Sequence, residues 1–287
     1  MDGSGSPALV VGTYERFLFG LGFSSAEATL ERLFSLPAHK GVIHTVAART
    51  PYLVSGGGDE QLHLYQLKED ADLGLILSPG RGGVYATAFY SAKPGSSKAT
   101  HLLSGAADGS ITVWRVDDWS VSKNMTGHSK AVTGLAVHNS GRIALSTSQD
   151  SHMRMWNLVK GKPQHKKKLA APASAVQFLL GGESYALQEE RAVSVYSTSE
   201  EGLYATFQHP CRVGALAFIS EQEALTGAED GCIRLWDSRT ADRPSLTMKA
   251  HKRQCCAYCH HQTKGAGKST SSSCHSLTSQ SGLTAPC

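Results

Sequence analysis

The sequence predicts an all-β fold made of small sheets that repeat along the chain, and two observations lead to this prediction. First, an acidic residue recurs at positions 15, 59, 108, 150, 190 and 230, at intervals of 44, 49, 42, 40 and 40 residues. Second, no segment has a 3.6-residue apolar period of helical length. A period of about 40–45 residues fits the four-stranded blade of a β-propeller.

The repeats share one motif, in which an acidic turn residue stands six positions before an aromatic residue. The segment 104–114 has a near copy at 226–236, and two further copies lie at 55–65 and 146–156. The acidic and aromatic positions are Asp59 and Tyr65, Asp108 and Trp114, Asp150 and Trp156, and Asp230 and Trp236, with weaker copies at Glu190 and Tyr196 and at Glu15 and Leu21.

Each motif has the pattern of a β-hairpin. An apolar run such as 100–104 leads into a turn containing Asp108-Gly109, and the alternating run 111–114 follows. Asp-Gly tolerates the positive φ angles of tight hairpin turns. Runs such as 132–137 supply a further strand upstream, and the Ser- and Pro-containing insert 93–98 explains the long interval of 49 residues as a surface loop.

Composition narrows the class of protein. Five of the 28 basic residues and none of the 24 acidic ones follow residue 248, so the body is nearly neutral and only the tail is basic. Such a balance does not require a nucleic-acid partner. Only two of the seven cysteines precede residue 250, which indicates a reducing, intracellular compartment. We expect neither a membrane span nor a secretory signal.

These motifs resemble the WD-repeat family, in which a His, a Ser or Thr, the turn Asp and a Trp form a hydrogen-bonded tetrad in each blade. The resemblance implies two complete sets and a third with Tyr in place of Trp. It also implies a fourth set that has no His, because Gly82-Gly83 stands near the position of the His. The sets are His128, Ser146, Asp150 and Trp156; His209, Thr226, Asp230 and Trp236; His39, Ser55, Asp59 and Tyr65; and Ser104, Asp108 and Trp114.

The segments 9–20, 127–132 and 156–161 are similar to the p21-activated protein kinase-interacting protein 1 family, and the similarity runs from about residue 8 to 252. The resemblance implies a seven-bladed, non-catalytic scaffold without cofactors. It implies two roles: binding the regulatory region of p21-activated kinase as a negative regulator of its signalling, or assembling the large ribosomal subunit in the nucleolus with pre-ribosomal proteins. The expected location is the nucleus and nucleolus, and also the cytoplasm.

The pattern divides the chain into a flexible N-terminus (1–7), an incomplete propeller (8–252) and a disordered, basic tail rich in Cys, His and Ser (253–287). We count five recognisable blades and a partial N-terminal blade. The tail departs from the family and suggests an alternative or truncated isoform. We therefore expect an open ring with two exposed edges, less stable than a longer family member.

Three further patterns could indicate sites of chemistry. Cys256 and Cys259 have zinc-like spacing, but Cys274-His275 offers no matching pair, so we prefer a disordered tail. Gly265–Thr270 lacks the first glycine of a phosphate-binding loop, because residue 262 is Gln. The Ser, His and Asp residues recur in several blades, whereas a catalytic triad is a single constellation. We expect no catalysis, metal or small-molecule substrate.

A basic cluster remains as a candidate contact patch. It consists of Lys160, Lys162, Lys166, Lys167 and Lys168. The preferred interpretation is a solvated loop at the outer end of a blade. The alternative is an electrostatic contact with an acidic protein surface or a weak or indirect contact with ribosomal RNA.

Overall fold

The computed structural model describes residues 9–24, 29–67, 71–93, 96, 98–198, 202–250 and 274–275, and these residues form β-strands joined by short turns. The strands of the first half are β1 (Leu9–Gly12), β2 (Phe17–Ser24), β3 (Thr29–Pro37), β4 (Ile43–Arg49), β5 (Tyr52–Gly57), β6 (Gln61–Gln66), β7 (Ala71–Leu77), β8 (Val84–Tyr90), β9 (His101–Ala106), β10 (Ile111–Arg115) and β11 (Val121–Met125). Those of the second half are β12 (Val132–Val137), β13 (Ile143–Ser148), β14 (His152–Asn157), β15 (Lys162–Lys168), β16 (Ala175–Phe178), β17 (Ser184–Gln188), β18 (Ala192–Ser197), β19 (Leu203–Gln208), β20 (Val213–Phe218), β21 (Glu223–Ala228), β22 (Cys232–Asp237), β23 (Leu246–Lys249) and β24 (Cys274–His275). A single turn of 3₁₀ helix (Ser238–Thr240) precedes β23.

The strands in the described part of the chain form six antiparallel sheets. Strands β1–β3 make a three-stranded N-terminal sheet, blade 1 consists of β4–β7 with the short strand β24 added beside β4, and blades 2 to 5 are the four-stranded sheets β8–β11, β12–β15, β16–β19 and β20–β23. Within each blade, strands that are adjacent in sequence are also adjacent in space. The predicted β-propeller, with five blades and a partial N-terminal blade, is confirmed.

Five apolar cores hold the sheets together, and each core lies between consecutive sheets. Between blades 2 and 3, for example, Leu103, Ile111 and Val113 pack against Ala144 and Trp156. The corresponding cores join the N-terminal sheet to blade 1, blade 1 to blade 2, blade 3 to blade 4, and blade 4 to blade 5. One blade cannot bury both of its apolar sides alone, so stacking provides most of the buried area.

The position of a residue within the repeat determines which neighbouring sheet its side chain packs against. Residues three and five positions after the acidic anchor face the following sheet, as Leu62 and Leu64 of blade 1 do. The aromatic residue six positions after the anchor faces the preceding sheet, as Tyr65 does. This follows from the alternation of side chains along a strand.

The tail predicted as disordered enters the described structure at two residues only. Cys274 and His275 form the short strand β24, which pairs antiparallel with β4 at Val46 and Thr45. The other residues of 253–287, and residues 1–7, lie outside the described residues, so these two domain boundaries stay predictions. Within the described part, no helix is long and apolar enough to cross a membrane.

Candidate functional site

The tetrad of blade 3 is a continuous chain of hydrogen bonds. The indole Nε1 of Trp156 donates to Ser146 Oγ at 2.8 Å, and Ser146 Oγ lies 2.7 Å from His128 Nε2. His128 Nδ1 lies 2.9 Å from Asp150 Oδ2. Asp150 also accepts the backbone N–H groups of Ser129 and His152 at 3.1 and 3.0 Å. These hydrogen bonds connect the loop before β12 to the turn after β13.

The direction of these bonds follows from their chemistry. An ionised carboxylate only accepts, so Nδ1 of His128 carries the proton and Nε2 accepts from the Ser146 hydroxyl. Burial lowers the pKa of His128 and favours this neutral ring, although Asp150 acts in the opposite direction. Burial alone would raise the pKa of Asp150, but hydrogen bonds from His128 and from the Ser129 backbone outweigh it, and the pKa lies below its ordinary value.

Blade 1 has the same arrangement with a tyrosine. His39 Nδ1 lies 2.9 Å from Asp59 Oδ1, and His39 Nε2 lies 2.8 Å from Ser55 Oγ. The backbone N–H of Lys40 donates to Asp59 Oδ2 at 2.8 Å. Tyr65 occupies the Trp position, and its burial raises the pKa of its phenol to about 12.

In blade 2 a serine hydroxyl takes the place of the missing histidine. Asp108 accepts the backbone N–H of Arg81 at 2.8 Å, as Asp59 accepts that of Lys40, so Gly80 and not Gly82-Gly83 stands at the histidine position. A Cβ at Gly80 would lie 2.5 Å from Ser110 Oγ, which leaves no room for a ring. Ser110 Oγ donates to Asp108 at 2.7 Å.

Trp114 nevertheless keeps its partner, because its Nε1 donates to Ser104 Oγ at 2.8 Å. The buried hydroxyl of Ser104 therefore serves one ring in blade 2, whereas Ser55 and Ser146 also bind a histidine. This difference between otherwise equivalent serines allows the contribution of the histidine link to be measured.

The tetrad implied for blade 5 is broken at its aspartate. His209 Nε2 lies 2.8 Å from Thr226 Oγ1, and Trp236 Nε1 donates to the same oxygen at 2.9 Å. Asp230 instead pairs with the guanidinium of Arg234, four residues along the chain. His209 Nδ1 donates to the backbone carbonyl of Phe207 at 3.1 Å. The implied set of four is therefore corrected to a set of three.

Asp230 pairs with Arg234 and not with His209 because the guanidinium is charged. A guanidinium gives Asp230 both an ionic partner and several donors, which a neutral imidazole does not. The bonds from Arg234 hold the pKa of Asp230 down at about 2. Burial lowers the pKa of His209 to about 4, so its ring is neutral near pH 7.

Neither Arg234 nor Ser110 was singled out by the repeat motif. Gln188 was also missed: its side-chain Nε2 donates to the Val213 carbonyl at 2.9 Å and so links blade 4 to blade 5. The only available signal was position, because each lies close to an acidic anchor in the sequence. All these polar groups hold loops and sheets in place.

The basic cluster forms part of a strand, which corrects the preferred interpretation as a loop. Lys162–Lys168 is β15, the outermost strand of blade 3, and Lys160 lies in the turn before it. Backbone pairing with β14 is independent of side-chain type, so a charged sequence can extend the sheet where it meets solvent. Lys on an outer strand also discourages edge-to-edge association, which is a structural role for these residues.

Four of these lysines are exposed, and the fifth is held against the next blade. The ammonium of Lys167 lies 3.9 Å from the centroid of the Tyr196 ring. The exposed members are Lys160, Lys162, Lys166 and Lys168. Within the described ranges, none of the five is paired with a carboxylate. We call the five residues the basic rim.

Among the described residues, no group of three or more His, Cys, Asp or Glu side chains could hold a metal ion. The Cys256 and Cys259 pair and the segment 265–270 lie outside the described residues.

Comparison with known proteins agrees with this geometry. The model of the WD domain, G-beta repeat, matches residues 119–157 and 202–237, which lie in blades 2 to 3 and 4 to 5. The p21-activated protein kinase-interacting protein 1-like protein of Danio rerio is 30% identical over 85% of this chain and 64% of its own length. Shk1 kinase-binding protein 15 of Schizosaccharomyces pombe is 24% identical over 85% of this chain and 70% of its own length.

A third relative is Protein MAK11 of Saccharomyces cerevisiae, which is 28% identical over 71% of this chain and 54% of its own length. The chain spans 60–65% of the length of the vertebrate relatives from fish, bird and frog that it matches. The repeats, the tetrads and these similarities agree: the chain is a WD40-repeat β-propeller protein with homologues named p21-activated protein kinase-interacting protein 1.

Proposed function

We propose that the chain is a non-catalytic scaffold that binds the regulatory region of a p21-activated kinase and restrains its signalling. The observation that carries the proposal is the similarity, over 85% of the chain, to a relative whose name describes it as kinase-interacting. The geometry supports a scaffold because the Ser, His and Asp groups recur from blade to blade and are used in holding loops.

Direct binding tests this proposal. The purified 287-residue chain is titrated into the isolated N-terminal regulatory region of a p21-activated kinase, with the catalytic domain of the same kinase as the control ligand. We expect saturable binding to the regulatory region alone. Activation of the intact kinase by a GTP-loaded small GTPase should decrease as the chain is added. Equal binding to both fragments, or activation that is unchanged at saturation, would contradict the proposal.

A second candidate function is nucleolar assembly of the large ribosomal subunit, for which the basic rim is the supporting observation. Four exposed lysines lie on one outer strand and its turn, and they have no carboxylate partner among the described residues, so they would attract a polyanion such as ribosomal RNA or an acidic pre-ribosomal protein. Under this proposal the chain is located in the nucleus and nucleolus, with a cytoplasmic pool available to the kinase.

The two functions are separated by charge reversal on the rim. The triple variant Lys162→Glu, Lys166→Glu and Lys168→Glu should lose co-purification with large-subunit precursors and reduce the salt dependence of RNA binding. The matched control reverses three other charges, in Lys40→Glu, Lys130→Glu and Lys249→Glu, since these lysines are exposed but lie outside the rim. Unchanged precursor recovery and an unchanged salt slope in the triple variant would exclude this role of the rim.

A further inference from the structure

The outer strand of blade 3 differs in charge from the outer strands of the other blades. β15 carries four lysines and no acidic residue, whereas β7, β11, β19 and β23 carry at most one charged residue each. β15 also stands at the end of its sheet, so one edge of its backbone is unpaired within the described residues. An edge of this kind can accept a further strand, and its charge determines which strand.

The backbone groups of Lys166 and Lys168 point away from the sheet. The Leu169 N–H donates to the Ser151 carbonyl at 2.8 Å, so these two residues form a hydrogen-bonded pair. Hydrogen-bonded and non-hydrogen-bonded pairs alternate along an antiparallel ladder, so Lys166, opposite Arg154, belongs to a non-hydrogen-bonded pair, and so does Lys168. The N–H and C=O groups of both lysines are therefore directed to the free edge of β15.

The side chains of Lys166 and Lys168 lie on one face of the sheet. Lys167 stands between them and places its ammonium 3.9 Å from the centroid of the Tyr196 ring in blade 4. Successive side chains of a strand point to opposite faces, so Lys166 and Lys168 lie on the face directed away from blade 4, and both are exposed. Their Cα atoms are about 6.5 Å apart, which is the spacing of alternate residues in any extended chain.

The guanidinium of Arg154 adds an uncompensated charge to this face. Arg154 stands opposite Lys166, and its Nη2 donates to the Gly127 carbonyl. Among the described residues it forms no ion pair with a carboxylate, and its Nε is one of two buried side-chain polar atoms without a hydrogen-bond partner. Arg234, at the same repeat position in blade 5, is neutralised by Asp230. Like charges opposite each other destabilise a sheet, so this pair of cations favours a bound anion.

We propose that the free edge of β15 binds an extended acidic peptide, which adds to blade 3 as a further strand. The backbone of Lys166 and Lys168 pairs with the peptide, and acidic side chains at alternate peptide positions lie beside the two lysines, with Cβ atoms about 5 Å apart. The lysines repel a basic strand, so they select the partner by charge. The proposal rests on the role of the basic rim in the second proposed function, and it makes an acidic protein segment the preferred partner of the rim.

Two observations favour a peptide over RNA. The spacing of Lys166 and Lys168 equals that of alternate side chains on a neighbouring strand. The outward backbone of the same two residues offers carbonyl acceptors as well as N–H donors, and a peptide backbone pairs with both, whereas phosphate groups only accept hydrogen bonds.

A short peptide of alternating Glu and Thr, titrated into the full chain, tests the proposal. We expect saturable binding by calorimetry, and no binding of the matched peptide of alternating Gln and Thr. Two further forms carry N-methyl groups, either on the Glu nitrogens or on the Thr nitrogens. One form should lose binding and the other retain it, because alternate backbone nitrogens of a strand face opposite sides. Equal affinities of the two methylated forms would overturn the proposal, since charge alone does not distinguish them.

Charge reversal on the protein gives a second test. Lys166→Glu with Lys168→Glu should lower the affinity for the Glu–Thr peptide on the order of tenfold or more, and this variant should instead bind a peptide of alternating Lys and Thr. The matched control is Lys40→Glu with Lys130→Glu, since these lysines are exposed and lie outside the rim. Far-UV circular dichroism establishes that the variants are folded. An unchanged affinity for the acidic peptide in the rim variant would overturn the proposal.

Hydrogen exchange separates strand addition from attraction by charge. The amides of Lys166 and Lys168 should exchange more slowly when the Glu–Thr peptide is bound, and a short single-stranded RNA should leave them unchanged. The proposal is overturned if the peptide does not protect these amides, or if the RNA binds at least as tightly at the same ionic strength. Such a result, together with precursor recovery that still depends on the rim, would reject strand addition and retain the ribosomal function. Peptide binding with precursor recovery independent of the rim would reject that function and retain the site.

Discussion

The serine at the centre of a tetrad provides the most direct test of how the blades are held together. In Ser146→Ala, both Trp156 Nε1 and His128 Nε2 lose their hydrogen-bond partner, and the side chains of Ser146 and Trp156 are fully buried. A buried polar group without a partner costs about 1–3 kcal/mol. Two such groups predict a loss of about 2–6 kcal/mol in the free energy of unfolding.

Ser104→Ala is the matched control, because the same substitution at the equivalent position of blade 2 leaves a single group without a partner. Only Trp114 Nε1 donates to Ser104 Oγ, since Gly80 stands at the histidine position. We therefore expect a loss of about 1–3 kcal/mol for this variant. The difference between the two variants isolates the contribution of the histidine link.

Urea unfolding followed by far-UV circular dichroism, with tryptophan fluorescence as the second probe, measures both variants against the wild type. In a Trp156→Phe background only His128 depends on Ser146, so the loss caused by Ser146→Ala should decrease to roughly that of Ser104→Ala. Equal losses for the two serine variants in the wild-type background would refute the reasoning. A loss below that of Ser104→Ala would refute it as well.

Three further predictions concern other parts of the fold. Burial lowers the pKa of His209 from 6.5 to about 4, so as the pH falls the unfolded chain takes up this proton first, and the free energy of unfolding should decrease between about pH 6.5 and 4. The urea midpoint should decrease less over this range in His209→Gln than in the wild type. An identical pH profile for the two proteins would contradict this pKa for His209. Gly80→Ala places a Cβ 2.5 Å from both Ala106 Cβ and Ser110 Oγ and should lower the free energy of unfolding by about 1–3 kcal/mol in urea. Gly74→Ala has no such contact and serves as a steric comparison at a half-buried site of positive φ. Lys167→Ala removes the ammonium over the Tyr196 ring and should lower the free energy of unfolding by about 0.5–1 kcal/mol. Lys166→Ala is the control because its side chain is exposed, and a larger decrease in this variant would argue against the cation–π contact.

The sequence predicted most of the sheets because their hydrogen-bonding groups recur at fixed spacing. A buried indole N–H needs an acceptor, and the serine ten residues earlier lies diagonally across from it on the paired strand, since Trp156 pairs with Ala144 and Ser146 with Arg154. Strand pairing therefore converts a sequence interval into a contact. The N-terminal sheet was predicted on weaker evidence, since Leu21 replaces the aromatic residue and Glu15 the aspartate.

The changes of partner were not predictable from the motif, because they depend on competition between neighbours. Arg234 follows Asp230 by four residues, and only the fold brings its guanidinium onto the carboxylate that would otherwise meet His209. In blade 2 the competition is steric, since Ser110 and Asp108 occupy the space in front of Gly80. A motif specifies which groups require partners, whereas packing selects among the partners within reach.

The same distinction applies to the apolar sides of the sheets. Leu225, Ile233 and Leu235 are as apolar as Leu103, Ile111 and Val113, yet only the second set is buried. Their exposure differs because blade 2 has a following blade packed on it and blade 5 has none among the described residues. The repeat position thus identifies two sides of every sheet that require an apolar neighbour, and packing against an adjacent sheet decides which of them are buried.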